Sequence, residues 1–90
     1  NLWNVEMAKI IHRLEVRARC PADGFGDIYQ CEIHTTRVIQ VEKIIAVCDK
    51  FKLQEIWMED LAEELRRSLC AKIILRGSHY GRVVTEVVAE

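Results

Sequence analysis

From Arg13 to Arg19 the chain alternates without exception. Leu14, Val16 and Ala18 point one way, and Arg13, Glu15, Arg17 and Arg19 the other, which is the period of a strand with one buried face. Such a strand needs a sheet around it and a second layer to cover its apolar side. The segments that follow supply both. Ile28 to Thr35 reads as a second strand, and the loop between the two is short enough for an antiparallel pair. Thr35 or Thr36 is placed to cap the next element. Val38, Val41, Ile44, Ile45, Cys48 and Phe51 then recur at helical spacing and predict a first helix of about 13 residues. Met58, Leu61, Ala62, Leu65 and Leu69 line one face of a second helix. Its acids (Glu55, Glu59, Asp60) come early and its bases (Arg66, Arg67) late, the order that complements the helix dipole. Lys72 to Arg76 predicts a third strand, Gly77 to Gly81 a turn, and Arg82 to Ala89 a valine-rich fourth strand. For the first dozen residues a short helix and an added strand both stay open, with Ile10 and Ile11 favouring the strand. The order strand, strand, helix, helix, strand, strand lacks βαβ alternation. It therefore predicts an α+β fold, an antiparallel sheet with both helices on one face.

Ninety residues suffice for one domain, 1–90, with a thin core: a chain of this size buries roughly 60–65% of its unfolded surface. Half of its residues are hydrophobic, which excludes a disordered chain and suggests a core completed by oligomerisation. Unpaired sheet edges point the same way, toward partners that close the sheet into a barrel. The net charge of −1 gives no general pull toward nucleic acid or membrane. No apolar run approaches the roughly 20 residues that span a bilayer. No signal peptide is visible, and the first residue is Asn1 rather than methionine, which leaves room for residues upstream. A reducing, cytoplasmic setting is the expectation, so the four cysteines are expected to be free thiols. Cys31, Cys48 and Cys70 fall in strand and helix patterns and are expected to serve as small core residues. No Cys or His spacing matches a zinc site, and His12, His34 and His79 are scattered over three segments, so no metal is expected. Arg13, Arg17, Arg19 and Arg37 form a local basic stripe, read as an ordinary charged sheet face.

Chemistry concentrates in Arg19-Cys20-Pro21-Ala22-Asp23-Gly24-Phe25-Gly26-Asp27. Proline and two glycines let the backbone fold back, so that a thiol at a strand end and a carboxyl group can face one pocket. A thiol needs a proton acceptor to become a nucleophile, and an aspartate can fill that role. Spacing alone does not choose between Asp23 and Asp27. Glu59, beside Trp57 and Met58 at the start of the second helix, suits a purine-like ring. A carboxylate accepts from a ring N–H and an exocyclic amine while an aromatic neighbour covers the ring.

The element order resembles the tunnelling fold (T-fold), whose ββααββ units assemble into barrels and bind purines, pterins and related rings at subunit interfaces. Within it the chain resembles the QueF and QueF-like family of deazaguanine enzymes, from about Leu14 to Glu90. Three matches carry the resemblance. Cys20-Pro21 followed by Asp27 has the family's Cys-Pro and its seven-residue step to the catalytic aspartate. Glu42 to Phe51 fits the family's first helix without gaps. Ile56-Trp57-Met58-Glu59-Asp60 is similar to the family's Phe-His-Glu-Asp element, with Met58 in the histidine's place. The resemblance implies that Cys20 attacks the nitrile of 7-cyano-7-deazaguanine to form a thioimide, that Asp27 moves the proton, and that Glu59 holds the base. It also implies a homo-oligomer, a pentamer or a decamer of stacked pentamers.

Two fates are known for the thioimide in this family: NADPH reduces it to an amine, or ammonia converts it to an amidine on tRNA. The reductases carry Glu-x-Lys-Ser/Ala-x-Lys on the first helix. Here those positions are Gln40, Glu42 and Ile45, without either lysine, and Glu42 reverses the charge where a dinucleotide phosphate would want a cation. Archaeosine-type amidine formation, with no cofactor and with ammonia as co-substrate, is therefore the favoured expectation. The alternatives are an NADPH-dependent nitrile reductase, a GTP cyclohydrolase-like enzyme using Cys20 and a histidine as metal ligands, and a non-catalytic barrel subunit.

Overall fold

The structure is a computed structural model that describes residues 8–90. The alternating run grows into β1 (Ile10–Arg19), which pairs along its whole length with β2 (Gly26–Thr35), from Ile10 opposite Thr35 to Arg19 opposite Gly26. Two helices follow, α1 (Val41–Asp49) and α2 (Met58–Leu69), then β3 (Lys72–His79) and β4 (Val83–Ala89). The strands form one antiparallel sheet in the order β1-β2-β3-β4, with β1 and β4 at its edges. This is the α+β arrangement that the element order predicts. The expectation for residues before Ile10 falls largely on 1–7, outside the described residues; Ile10 and Ile11 themselves belong to β1.

Period-2 alternation decides which side of the sheet is buried. Val16 and Ala18 of β1, Tyr29, Cys31 and Ile33 of β2, and Ile73 and Leu75 of β3 face the helices and are almost wholly buried. Against them α2 sets Met58, Leu61, Ala62, Leu65 and Leu69, the face its spacing predicts. α1 departs from expectation. It is 9 residues long, and Val38, Val41 and Ile45 are exposed, while Ile39, Ile44, Val47, Cys48 and Phe51 are buried. The cause lies upstream of the helix. The Thr35 hydroxyl accepts from the Arg37 backbone N–H at 3.1 Å, a local turn that competes with capping, so neither threonine caps α1. Gln40, in extended conformation, occupies the cap position, and Val38 lies before the helix instead of in it.

Cys70 also departs from expectation. It ends α2 in the left-handed region (φ 49°) and is exposed, whereas Cys31 and Cys48 are core residues as read. Arg37 donates to the carbonyls of Leu69 and Cys70, satisfying two of the acceptors that every helix leaves at its C-terminus. All four cysteines are free. β3 runs on to His79, so that Gly77, Ser78 and His79 pair with Thr85, Val84 and Val83 instead of turning. The turn is Tyr80–Arg82, where Tyr80 and Gly81 both take positive φ.

The solvent face of the sheet carries a chain of charges across all four strands. Glu32 accepts from Arg13 (3.3 Å) and Arg76 (2.9 Å), Arg76 also donates to Glu86 (2.7 Å), and His34 lies 2.8 Å from Glu32. Arg76 first, then His34, pull the Glu32 carboxyl down to about 2. Among the described residues no helix is long and apolar enough to cross a membrane.

Candidate active site

The parity that buries the core also aims the candidate groups. Ala18 faces the helices, so Cys20, two residues on, follows the same side of β1. On β2 the helix-facing set is Asp27, Tyr29, Cys31 and Ile33, with Asp27 paired to Ala18 and Tyr29 to Val16. Cys20 sits where the hairpin loop closes: its N–H donates to the Phe25 carbonyl (2.9 Å) and its carbonyl accepts from Gly24 N–H (2.7 Å). Gly24 makes that closure with φ 74°, a conformation that glycine adopts without a steric penalty. The backbone at Cys20 is thus held at both ends while its side chain stays half-buried.

The two aspartates of the loop separate cleanly. Asp23 is exposed and accepts from Phe25 N–H at 2.9 Å, closing a local turn. Asp27 is half-buried on β2 and accepts from the Tyr29 hydroxyl at 3.2 Å through Oδ2.

Glu59 reaches the same end of the sheet because the segment before α2 is tied to β1. Arg19 N–H donates to the Gln54 carbonyl (2.9 Å), and Ile56 N–H donates to the Arg19 carbonyl (3.0 Å), a short parallel bridge of Glu55 beside Arg19. Met58 points inward and is buried, and Trp57 and Glu59 are exposed on either side of it. Within Ile56-Trp57-Met58-Glu59-Asp60, Met58 is therefore a core residue.

Tyr29 stands beside Asp27 on the same strand face. Its hydroxyl is held well above the ordinary tyrosine range, by burial first and then by the charge and hydrogen bond of Asp27. Beside Asp27 lies a groove of about 450 Å³, lined in part by Arg19, Phe25, Lys52 and Leu53. That volume lies within the roughly 300–1,000 Å³ range of small-molecule sites.

Sequence reasoning missed Tyr29 and Gly77. Tyr29 looked like any β-former and Gly77 like a turn residue. The signal for Tyr29 was present, since it stands two residues from Asp27 on the same strand face. Gly77 gave none, because its role depends on a contact across strands.

The other thiols and the histidines are placed elsewhere. Burial pushes the Cys31 thiol up to about 12 and the Cys48 thiol up to about 11, which keeps both protonated and unreactive. His34, which a metal-bound Cys20 would require nearby, pairs with Ile11, roughly 26 Å from Arg19 at about 3.3 Å per residue. Among the described residues no group of three His, Cys, Asp or Glu side chains is arranged to hold a metal ion.

No family model matches the sequence, and no curated protein is significantly similar to it. Similarity appears in three dimensions. The crystal structure of an archaeosine synthase QueF-Like, in the apo form, matches with a TM-score of 0.80 over 94% of each chain, at 20% sequence identity. The chain therefore has the fold of that QueF-Like synthase, a ββααββ tunnelling-fold unit.

Proposed function

We propose that this chain is a cytoplasmic QueF-like amidinotransferase that acts on 7-cyano-7-deazaguanine carried in tRNA, in an archaeosine-type modification. The observation that carries the proposal is the placement of Cys20 at the closure of the hairpin loop, Asp27 on the helix-facing side of β2 and Glu59 at the same end of the sheet, on the fold of an archaeosine synthase. Glu59, exposed at the start of α2, would accept hydrogen bonds from the ring N–H and exocyclic amine of the deazaguanine. Asp27 takes the proton of the Cys20 thiol, and the sulfur adds to the nitrile carbon. The C≡N bond becomes C=N as C–S forms, and Asp27 returns the proton to the nitrile nitrogen, giving a neutral thioimide. Ammonia then adds to the same carbon, Asp27 takes one of its protons, and the C–S bond breaks with the thiolate as leaving group, which recovers that proton as the Cys20 thiol. The product is an amidine, R–C(=NH)NH2, with no electron gained or lost. No cofactor is consumed on this route. The absence of the reductases' lysines, with Gln40, Glu42 and Ile45 in those positions, supports ammonia over hydride as the acceptor of the adduct.

The residues that build the site come from two layers of one chain. Its mouth lies at the sheet end, beside β1, an edge strand among the described residues. A homo-oligomer, pentameric or decameric, would assemble along that edge.

Intact-protein mass spectrometry after incubation with 7-cyano-7-deazaguanine tests the chemistry. An adduct of one ligand mass is expected, discharged by ammonia and not by NADPH. Tight binding of the ligand to wild type without an adduct would remove Cys20 as nucleophile, and discharge by NADPH alone would make the enzyme a nitrile reductase.

A further inference from the structure

Asp27 has two carboxylate oxygens and, in the proposed reaction, one proton to move. Oδ2 accepts from Tyr29 Oη–H at 3.2 Å; Oδ1 has no hydrogen-bond partner among the described residues. The phenol that holds Oδ2 is itself fixed. Tyr29 is 4% exposed, stands opposite Val16, and lays its ring across β3 at Gly77. A Cβ at Gly77 would lie 2.7 Å from Tyr29 Cδ1 and 2.9 Å from Cε1, closer than real side chains approach, with Met58 Cε 3.7 Å away on the other side. Gly77, within β3, pairs with Thr85 of β4 and does not take positive φ, so what it supplies is space for the ring. The stack of Gly77, Tyr29 and Asp27 thus runs from the middle of the sheet to the reactive loop.

We infer that Tyr29, seated in the slot left by Gly77, is the positioning residue that fixes the Asp27 carboxylate and leaves Oδ1 to receive the Cys20 proton. The inference rests on the proposed roles of Cys20 and Asp27. Burial and the surrounding negative charges keep the phenol neutral, so it stays a hydrogen-bond donor and does not compete as a base. Its effect is orientation: a carboxylate free to rotate would spend part of its time with neither oxygen aimed at the thiol.

Tyr29→Phe tests this, because it keeps the ring in its slot and removes only the donor. Two rates are measured: formation of the 7-cyano-7-deazaguanine adduct at saturating ligand, and alkylation of Cys20 by iodoacetamide in the absence of ligand. Tyr29→Phe is expected to slow both about tenfold, a fraction of the roughly 10²–10⁴-fold that a general base contributes. The dissociation constant of the reversible complex should stay within about twofold, since Glu59 and the groove are untouched, whereas loss of packing would weaken binding as well. Gly77→Ala, which drives the ring out of its slot, should slow the same two rates, and the double variant should be no slower than the worse single one. Wild-type alkylation rates in Tyr29→Phe would overturn the inference. If wild type formed no adduct yet Tyr29→Phe still slowed alkylation, the proposed substrate would fail while the positioning role of Tyr29 stood.

Discussion

Each end of the sheet carries a cysteine that reaches solvent at the close of an element, Cys20 after β1 and Cys70 after α2, and the two are built in opposite ways. At the Cys20 end the loop is tied by backbone hydrogen bonds, a half-buried carboxylate is held by a buried phenol, and a second carboxylate starts a helix. At the Cys70 end the thiol lies 3.6 Å from the Arg67 carbonyl, and Arg37 neutralises the helix terminus. The groove there, about 490 Å³ in volume, is lined by Lys9, His34, Arg37 and Lys72 among others. Cys20 is half-buried and Cys70 exposed, so access to solvent does not by itself single out a thiol. The difference is a half-buried carboxylate held by a phenol at one end and a set of cations at the other.

The largest effect that separates the two ends is covalent. Cys20→Ala is expected to abolish the 7-cyano-7-deazaguanine adduct in intact-mass spectra, and Cys70→Ala to leave it unchanged. An adduct surviving on Cys20→Ala would erase the contrast. Next comes the choice between the two aspartates of the Cys20 loop. Asp27→Asn should slow adduct formation by roughly 100-fold or more, the scale of a lost general base, whereas Asp23→Ala, which breaks only a surface turn, should change it by no more than about threefold in stopped-flow traces. The third effect exchanges binding for stability. Glu59→Gln should weaken the ligand by about 10- to 100-fold in calorimetry, the equivalent of one or two charge-assisted hydrogen bonds. Arg37→Ala at the far end should leave affinity alone and cost about 1–2 kcal/mol in denaturant unfolding, because it strips the α2 carbonyls of their donor.

The smallest effect lies between the ends, at Glu32. Its carboxyl is depressed from an ordinary 4.5 to about 2 in the folded protein, chiefly by Arg76. The stabilisation it gives is therefore fully present above about pH 4.5 and is lost as pH falls through about 2. Glu32→Gln should flatten the acid-unfolding profile in that window, and an unchanged profile would show that the charge chain does not contribute to stability.

Much of this architecture was legible because it rests on short-range periodicity. The strict alternation of β1 and the i, i+3, i+4 face of α2 specify their buried residues almost without error. Position 38 misled because the same spacing begins before the helix does, and positions 41 and 45 because they lie on the solvent side of α1. Thr35 and Arg37 decide that boundary with a turn whose strength the pattern does not encode. Cys20 and Asp27 stood out through their spacing around a glycine turn, and Glu59 through its place at a helix start; the structure puts all three toward one end of the sheet. Tyr29 and Gly77 were not, since their relation spans 48 residues of sequence and exists only once β2 and β3 lie side by side.

The bridge between Arg19 and Glu55 has one more consequence, which concerns where a neighbouring chain can attach. β1 is an edge strand, and an edge strand offers its outward peptide groups at every second residue. At Arg19 both are already taken, by Gln54 and Ile56. A strand that docked along β1 would run out of partners at Arg17, and its terminus would stop short of the Cys20 loop. The segment before α2 thus works as a ruler: it sets the length of a seam along β1 and keeps that seam clear of Cys20.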